Sequence, residues 1–268
     1  VLTLRSDDET SRENGIPSAA ALARVRVAAF FVSCLGRSCC CACRLCLHES
    51  LPRMNRTAWT RRFAAFLDAQ MATADAAHDR AHIRRVVATA HRLAADERAP
   101  LDVVHPAAWL HDCVVMPKDD ATRDCASSQA ADAAVAFLDA EDYPARWLDG
   151  IHHAIVAHSY SAGVLPQTPA AKVVQDADRL DALGAIGIAR CFTVGGSLGR
   201  PLYAPDDPFC EQRPPDDSTY TLDHFYAKLL RLPETMQTRA GRAEAERRAA
   251  FMRTYLDRLA DEIAPPEP

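Results

Sequence analysis

Four short stretches of this 268-residue chain carry side chains able to hold a cation or move a proton. In His78-Asp79-Arg80-Ala81-His82 two imidazoles stand at an i, i+4 spacing, which on a helix puts them on one face. His111-Asp112 closes an apolar run (Val103, Val104, Ala107, Ala108, Trp109, Leu110) and offers one imidazole nitrogen and one carboxylate oxygen pointing inward from a helix end. His152, His153 and His158 fall in a third stretch. The fourth, Asp176-Ala177-Asp178-Arg179-Leu180-Asp181, sets three carboxylates and a guanidinium among Val173, Val174, Leu183, Ile186 and Ile188. Charge inside an apolar helix is costly unless it is paired or bound to metal. Taken singly, each has an ordinary reading: a hydrogen-bonded histidine, a helix-face coincidence, a solvated Asp178–Arg179 pair. Together they place His, His-Asp and Asp in separate apolar helices, and such nitrogen and oxygen ligation suits Mn, Fe, Co, Ni, Zn or Mg.

The elements that must position these groups read as helices. Trp59, Phe63, Phe66 and Leu67 mark one, and Ile83, Val86, Val87, Ala90 and Leu93 mark a second at the spacing of a buried face. Further helices are expected at 102–114, 123–140, 144–159, 169–192, 219–231 and 234–263, with Pro100, Pro117, Pro144, Pro166, Pro169, Pro201 and Pro233 at their edges. No strand pattern of comparable length competes, so the fold class is all-α. The stretch from Gly195 to Pro215 is the one long loop, a length at which loops in compact domains are often functional. Residues 264–268 read as a frayed end.

Composition agrees. Apolar residues make up 49% and charged residues 25%, as in a globular protein with a core, while aromatics are only 7%. A net charge of -5 argues against a surface built for nucleic acid. Six of ten cysteines crowd between Cys34 and Cys46, too close to pair sensibly with one another, and Cys40-x2-Cys43-x2-Cys46 lacks the second ligand pair of a zinc knuckle. The apolar run 27–36 is too short for a bilayer and has no Ala-x-Ala cleavage site. Residues 1–53 therefore read as a disordered, Cys-rich tail, extraneous if the start codon was placed too far upstream. The working region then begins at Met54 and is cytoplasmic, with reduced cysteines and no membrane or nucleic-acid partner. Oligomeric state is left open.

HDRAHIRRV, LHD, HAIVAHSYSA, KVVQDADRLDALGAIGIAR, DHFYAKLL and the MQT before the last helix resemble the HD-domain metal-dependent phosphohydrolase superfamily, and within it the YedJ/YpgQ-like branch, over residues 57 to 263. The resemblance implies a compact HD-type helical bundle with a C-terminal helical extension. It makes His82, His111, Asp112 and Asp178 the metal ligands, His82 being preferred to His78 because it stands four residues before Val86. His78 and Asp79, one turn earlier, are then placed to touch substrate or water. Alarmone hydrolases of the superfamily carry a Glu-Asp pair after the His-Asp; here Cys113, Val114, Val115 and Met116 stand instead, which speaks against that activity. A Gly-Tyr-Pro signature is absent, as are Walker-type and dinucleotide-type glycine loops.

A divalent cation so held lowers the pKa of water, polarises a phosphoryl oxygen and offsets transition-state charge, so hydrolysis at phosphorus is the expected chemistry. His153 and His158 either hold a second cation or bind phosphate, and Lys118, Arg179 and Arg200 are phosphate contacts or solvated surface cations. GGSLGR, 195–200, is a plain turn or a backbone nest for an anion. A site rich in cationic and imidazole groups suits a nucleoside triphosphate, cleaved to monophosphate and pyrophosphate. A phosphomonoesterase and a non-catalytic nucleotide-sensing HD module are the alternatives. A zincin-like protease is disfavoured, since Asp79 stands where that chemistry needs a glutamate.

Overall fold

The computed structural model describes residues 55–70, 80–114, 125–159 and 162–263. His78, Asp79, Lys118 and the Cys-rich stretch lie outside the described residues. Among those described there are helices and no strands: α1 (Arg56–Gln70), α2 (Arg80–Glu97), α3 (Leu101–Leu110), α4 (Ala126–Ala140), α5 (Leu148–His158), α6 (Pro169–Leu180), α7 (Gly184–Ser197), α8 (Asp223–Ala227) and α9 (Arg239–Ile263). Short 3-10 turns at Ala145–Trp147 and Leu229–Thr235 lead out of or into neighbours. No helix among these residues is long and apolar enough to cross a membrane.

Four helices make the inner layer. α2 packs on α3 and α6, α3 and α6 both pack on α5, and α4 covers α5 from outside. Val86, Ala90, Val104, Ala107, Ile151, Ile155, Val173 and Val174 are fully buried between them. α1 joins through Phe63 and Leu67, both at 0% exposure, each worth roughly 1.5–3 kcal/mol of burial. A stacked Phe66–Phe137 pair, 4.2 Å between centroids, ties it further to α4. Local signals are obeyed where they are strong. Thr168 caps α6 by accepting from the Ala171 N–H at 3.1 Å, with Pro169 at the first helical position. Pro106 inside α3 cannot donate to the Asp102 carbonyl four residues back, and the Tyr143 hydroxyl donates there instead at 2.5 Å.

The single helix expected over 169–192 is two. After Leu180 the chain tightens into i→i+3 bonds (Asp181 to Asp178, Ala182 to Arg179, Leu183 to Leu180), and Gly184 takes φ +73° before α7 starts in a new direction. Gly187 then lies so close to the Ala182 carbonyl that a Cβ there would stand 2.2 Å from the oxygen. Periodicity could not show this, because apolar residues continue at helical spacing across the break. The helix expected over 102–114 stops at Leu110, and α9 begins at Arg239 rather than 234. The long loop begins after Ser197. It is tied by Asp207, which accepts the Glu211, Gln212 and Arg213 N–H groups, and by Arg213 gripping Asp223 at 2.5 and 2.8 Å.

Candidate metal centre

Helix ends deliver the chemistry. His82 is in the first turn of α2, His111 and Asp112 directly follow α3, His158 ends α5, and Asp178 is in the last turn of α6. Because α2, α3, α5 and α6 are mutual neighbours, these ends meet. His82 Nε2 is 3.4 Å from His111 Nε2, 3.4 Å from Asp178 Oδ1 and 3.8 Å from Asp112 Oδ2. His111 Nε2 is 3.5 Å from Asp112 Oδ2 and 3.8 Å from Asp178 Oδ1. Four donors around an ion at roughly 2.0–2.2 Å would be spaced about 3.3–3.6 Å in a tetrahedral set. His82, His111 and Asp178 thus form one donor group that fits a small divalent cation in chemistry and in spacing, and Asp112 Oδ2 lies 3.5–3.8 Å from its two imidazole nitrogens.

Tautomers fit as well. His111 Nδ1 donates to the Ala108 carbonyl at 3.0 Å, and His158 Nδ1 to the Ile155 carbonyl at 2.5 Å. His82 Nδ1 donates to Asp181 Oδ2 at 2.7 Å. In the neutral form of each ring, a proton on Nδ1 leaves the Nε2 lone pair for ligation, and the Asp181–His82 bond is the carboxylate support that metal-binding histidines commonly have. Asp181 is buried, and it also accepts from Arg85 Nε at 2.7 Å and Arg190 Nη1 at 2.7 Å. Burial opposes its charge, but His82 and Arg85 outweigh that and hold the carboxyl well below the usual range.

Electrostatics reflect carboxylates gathered around imidazoles. Burial disfavours the charged form of His82, yet Asp178 and Asp181, with the field of Asp112, raise it to about 9. At His111 burial wins, helped by His158 and His82, and the ring is pushed toward neutrality. At His158 burial is overcome by Asp112 and Asp178 and the shift is upward. Burial also opposes ionisation of Asp178, but the hydrogen bond to His82 and the three nearby rings keep its carboxyl low. His82 and His111 are sealed at 1% and 0% side-chain exposure while Asp112 and Asp178 keep 26% and 29%, so the centre opens to solvent on its carboxylate side.

The remaining sequence candidates separate. His158 joins the cluster, its Nε2 3.4 Å from Asp112 Oδ1, and with His111 and Asp112 it forms a second donor group. His153 is not in either donor group; its Nε2 accepts the Gln167 N–H at 3.0 Å and steadies the loop before α6. Arg179 donates to the Thr235 carbonyl at 2.8 Å. Arg200 lines a different cavity. GGSLGR is no anion nest: the N–H groups of Leu198, Gly199 and Arg200 bond back to Val194, Gly196 and Gly195 carbonyls, closing the C-terminus of α7. Sequence reading missed the role of Asp181. The signal was there, since a third carboxylate in an apolar segment needs partners, but Arg85 and Arg190 were invisible as those partners before the chain folded.

A family model described as "HD domain" matches residues 80–183, the stretch that holds all four proposed donors. The uncharacterized protein YpgQ of Bacillus subtilis is 35% identical over 190 residues, covering 69% of this chain and 84% of its own length. The crystal structure of YpgQ in complex with ADP superposes with a TM-score of 0.60 at 32% identity, over 78% of this chain and 97% of that one. A structure described as an HD-superfamily hydrolase from Bacillus thuringiensis gives a TM-score of 0.61 at 31% identity, over 77% and 97%. With the motifs, the helical architecture and these relatives in agreement, the chain belongs to the HD-domain superfamily of metal-dependent phosphohydrolases, in its YpgQ-like branch.

Proposed function

We propose that His82, His111, Asp112 and Asp178 hold one divalent cation and that the protein hydrolyses a nucleotide, in its specific form a nucleoside triphosphate to the monophosphate and pyrophosphate. The observation that supports this reading is that the His82 and His111 Nε2 atoms, 3.4 Å apart, each approach Asp112 Oδ2 and Asp178 Oδ1 at 3.4–3.8 Å. The nucleotide class is supported by the ADP bound to YpgQ. When bound, the cation supplies Lewis acidity toward water and a phosphoryl oxygen. The chain's own residues do the rest. Asp181 fixes the ring of His82 by holding Nδ1–H, and the Ala108 and Ile155 carbonyls do the same for His111 and His158. The buried imidazoles exclude water from behind, so substrate approaches past the open carboxylates. His158 presents Nε2 beside Asp112, where it contacts a phosphate oxygen or serves a second cation.

The test is metal analysis of the purified protein, then product identification by chromatography over nucleoside mono-, di- and triphosphates with Mn, Mg and Co supplied in turn. Pyrophosphate from triphosphates is expected, and His111→Ala or Asp112→Ala abolishes both metal retention and hydrolysis while helicity stays. Orthophosphate from monoesters with triphosphates untouched would reject the pyrophosphohydrolase form. Nucleotide binding without turnover under every metal would favour the sensing module. Full activity in either variant removes the site assignment.

A further inference from the structure

Arg190, which grips Asp181, also lines a concavity of about 210 Å³ between α7, α8 and the loop that joins them. Ala182, Cys191, Val194 and Leu229 give it apolar walls, and Arg190, Arg200, Lys228 and His224 give it cationic groups. No carboxylate is among its lining residues. His224 is paired with Asp217 at 2.7 Å, and Arg190 is anchored on Asp181. Arg200 and Lys228, in contrast, have no ion-pair partner among the described residues. Thr221 also lines the cavity and is only 4% exposed as a residue. Arg200 is half-buried and Lys228 exposed, so an anion held by the first against the apolar walls sits in a lower dielectric than at an open surface.

We infer that this cavity binds a small phosphate-type anion, held by Arg200, Lys228 and Arg190 with the Thr221 hydroxyl as a fourth donor. Its size supports the class: it falls below the roughly 300–1,000 Å³ of drug-sized pockets, so an inorganic phosphate or pyrophosphate group fits where a whole nucleotide does not. Guanidinium and ammonium groups match phosphate oxygens, Arg by its fork and Lys as a point charge. The site also touches the centre already described. Arg190 Nη1 and His82 Nδ1 both donate to Asp181 Oδ2, each at 2.7 Å, so an anion that draws on Arg190 acts on the residue that orients His82.

The experiment is calorimetric titration of inorganic pyrophosphate into the full chain in buffer containing a chelator, so that the cation site takes no part and failure of this inference is separable from failure of the metal reading. The chain, His111→Ala and the double variant Arg200→Ala/Lys228→Ala are compared, with circular dichroism confirming that each is folded. Binding is expected in the first two alike and at least roughly ten-fold weaker in the double variant, a loss of about 1.4 kcal/mol. Absence of binding in the unaltered chain, or equal affinity in the double variant, overturns the inference. Where pyrophosphate binds as expected, competition with ADP identifies the source of the anion: displacement assigns the cavity to a nucleotide's phosphate chain, and simultaneous binding assigns it to a free anion.

Discussion

Replacing Asp181 by alanine removes one carboxylate and leaves three groups without their acceptor. His82 Nδ1, Arg85 Nε and Arg190 Nη1 each lie 2.7 Å from it. Breaking a buried ion pair from one side costs roughly 3–5 kcal/mol. Arg85 and Arg190 keep 34% and 24% side-chain exposure, so water takes over part of their solvation, and the expected loss falls to about 2–3 kcal/mol. For a domain of this size that lowers the melting temperature by roughly 4–12 °C. His82, freed at Nδ1, rotates and changes tautomer, and metal affinity falls about 10–100-fold, as for other carboxylates that support a ligating histidine. Asp181→Asn, which keeps an acceptor oxygen without the charge, falls between the two. Melting followed at 222 nm in chelator reads the first effect, and Mn binding by calorimetry reads the second. An alanine variant equal to the unaltered chain in both would refute the claim that Asp181 orients the centre.

One source of acid sensitivity is His105 on α3. His105 is 5% exposed, with His91 Nε2 at 2.9 Å and Thr60 Oγ1 at 3.2 Å, and burial together with His91 and Arg56 lowers it to about 4. Between roughly pH 6.5 and 4 the unfolded chain takes up this proton and the folded one does not. Stability therefore falls with pH in that window, by about 2 kcal/mol at pH 5. His82, raised to about 9, makes its contribution between about pH 9 and 6.5 and adds nothing further below, and the difference in urea midpoints between the chain and His105→Gln isolates His105 from the other groups. The two should converge as pH drops; parallel curves would place His105 among ordinary histidines. Gly187→Ala drives a Cβ against the Ala182 carbonyl and should cost about 1–3 kcal/mol by thermal denaturation, whereas Gly196→Ala, which meets nothing within 4 Å, should not. A chain begun at Met54 should equal the longer one in melting temperature and hydrolysis, and a large drop in either would show that residues 1–53 contribute.

What could be read from the residues was whatever a single helix decides for itself. The buried faces of α1 and α2, the Thr168-Pro169 start of α6 and the apolar run of α3 are local patterns and stood where expected. The four residues that the resemblance names as ligands stood out because histidine and aspartate are unusual in apolar surroundings, and the structure places them within 3.4–3.8 Å of the His82 and His111 rings. The break after Leu180 was not, since it depends on Gly184 adopting φ +73° and on Gly187 meeting a carbonyl, and both are relations between two helices. The three aspartates of the fourth stretch show the same divide. Asp176 and Asp178 are about 200° apart around a helix, and Asp178 and Asp181 about 60°. Their roles nevertheless depend on which neighbour each face meets: Asp176 accepts from the Gln237 and Thr238 N–H groups and the Thr238 hydroxyl, Asp178 faces the rings, and Asp181 takes the arginines.

That fastening of Asp176 to the foot of α9 has a consequence for how the protein acquires its metal during biosynthesis. The helix that delivers Asp178 is clamped by a residue 62 positions after Asp176, which a ribosome adds about 3–12 s later. A nascent chain that has just exposed Asp178 thus lacks the clamp on α6, and until that helix is held the donors would rank ions more by intrinsic affinity, with copper first, than by a fixed geometry. Once α9 has docked, spacing and burial set the choice instead. Selection of a cation by geometry would then wait until α9 has emerged, so that a helix that supplies none of the proposed ligands sets its timing.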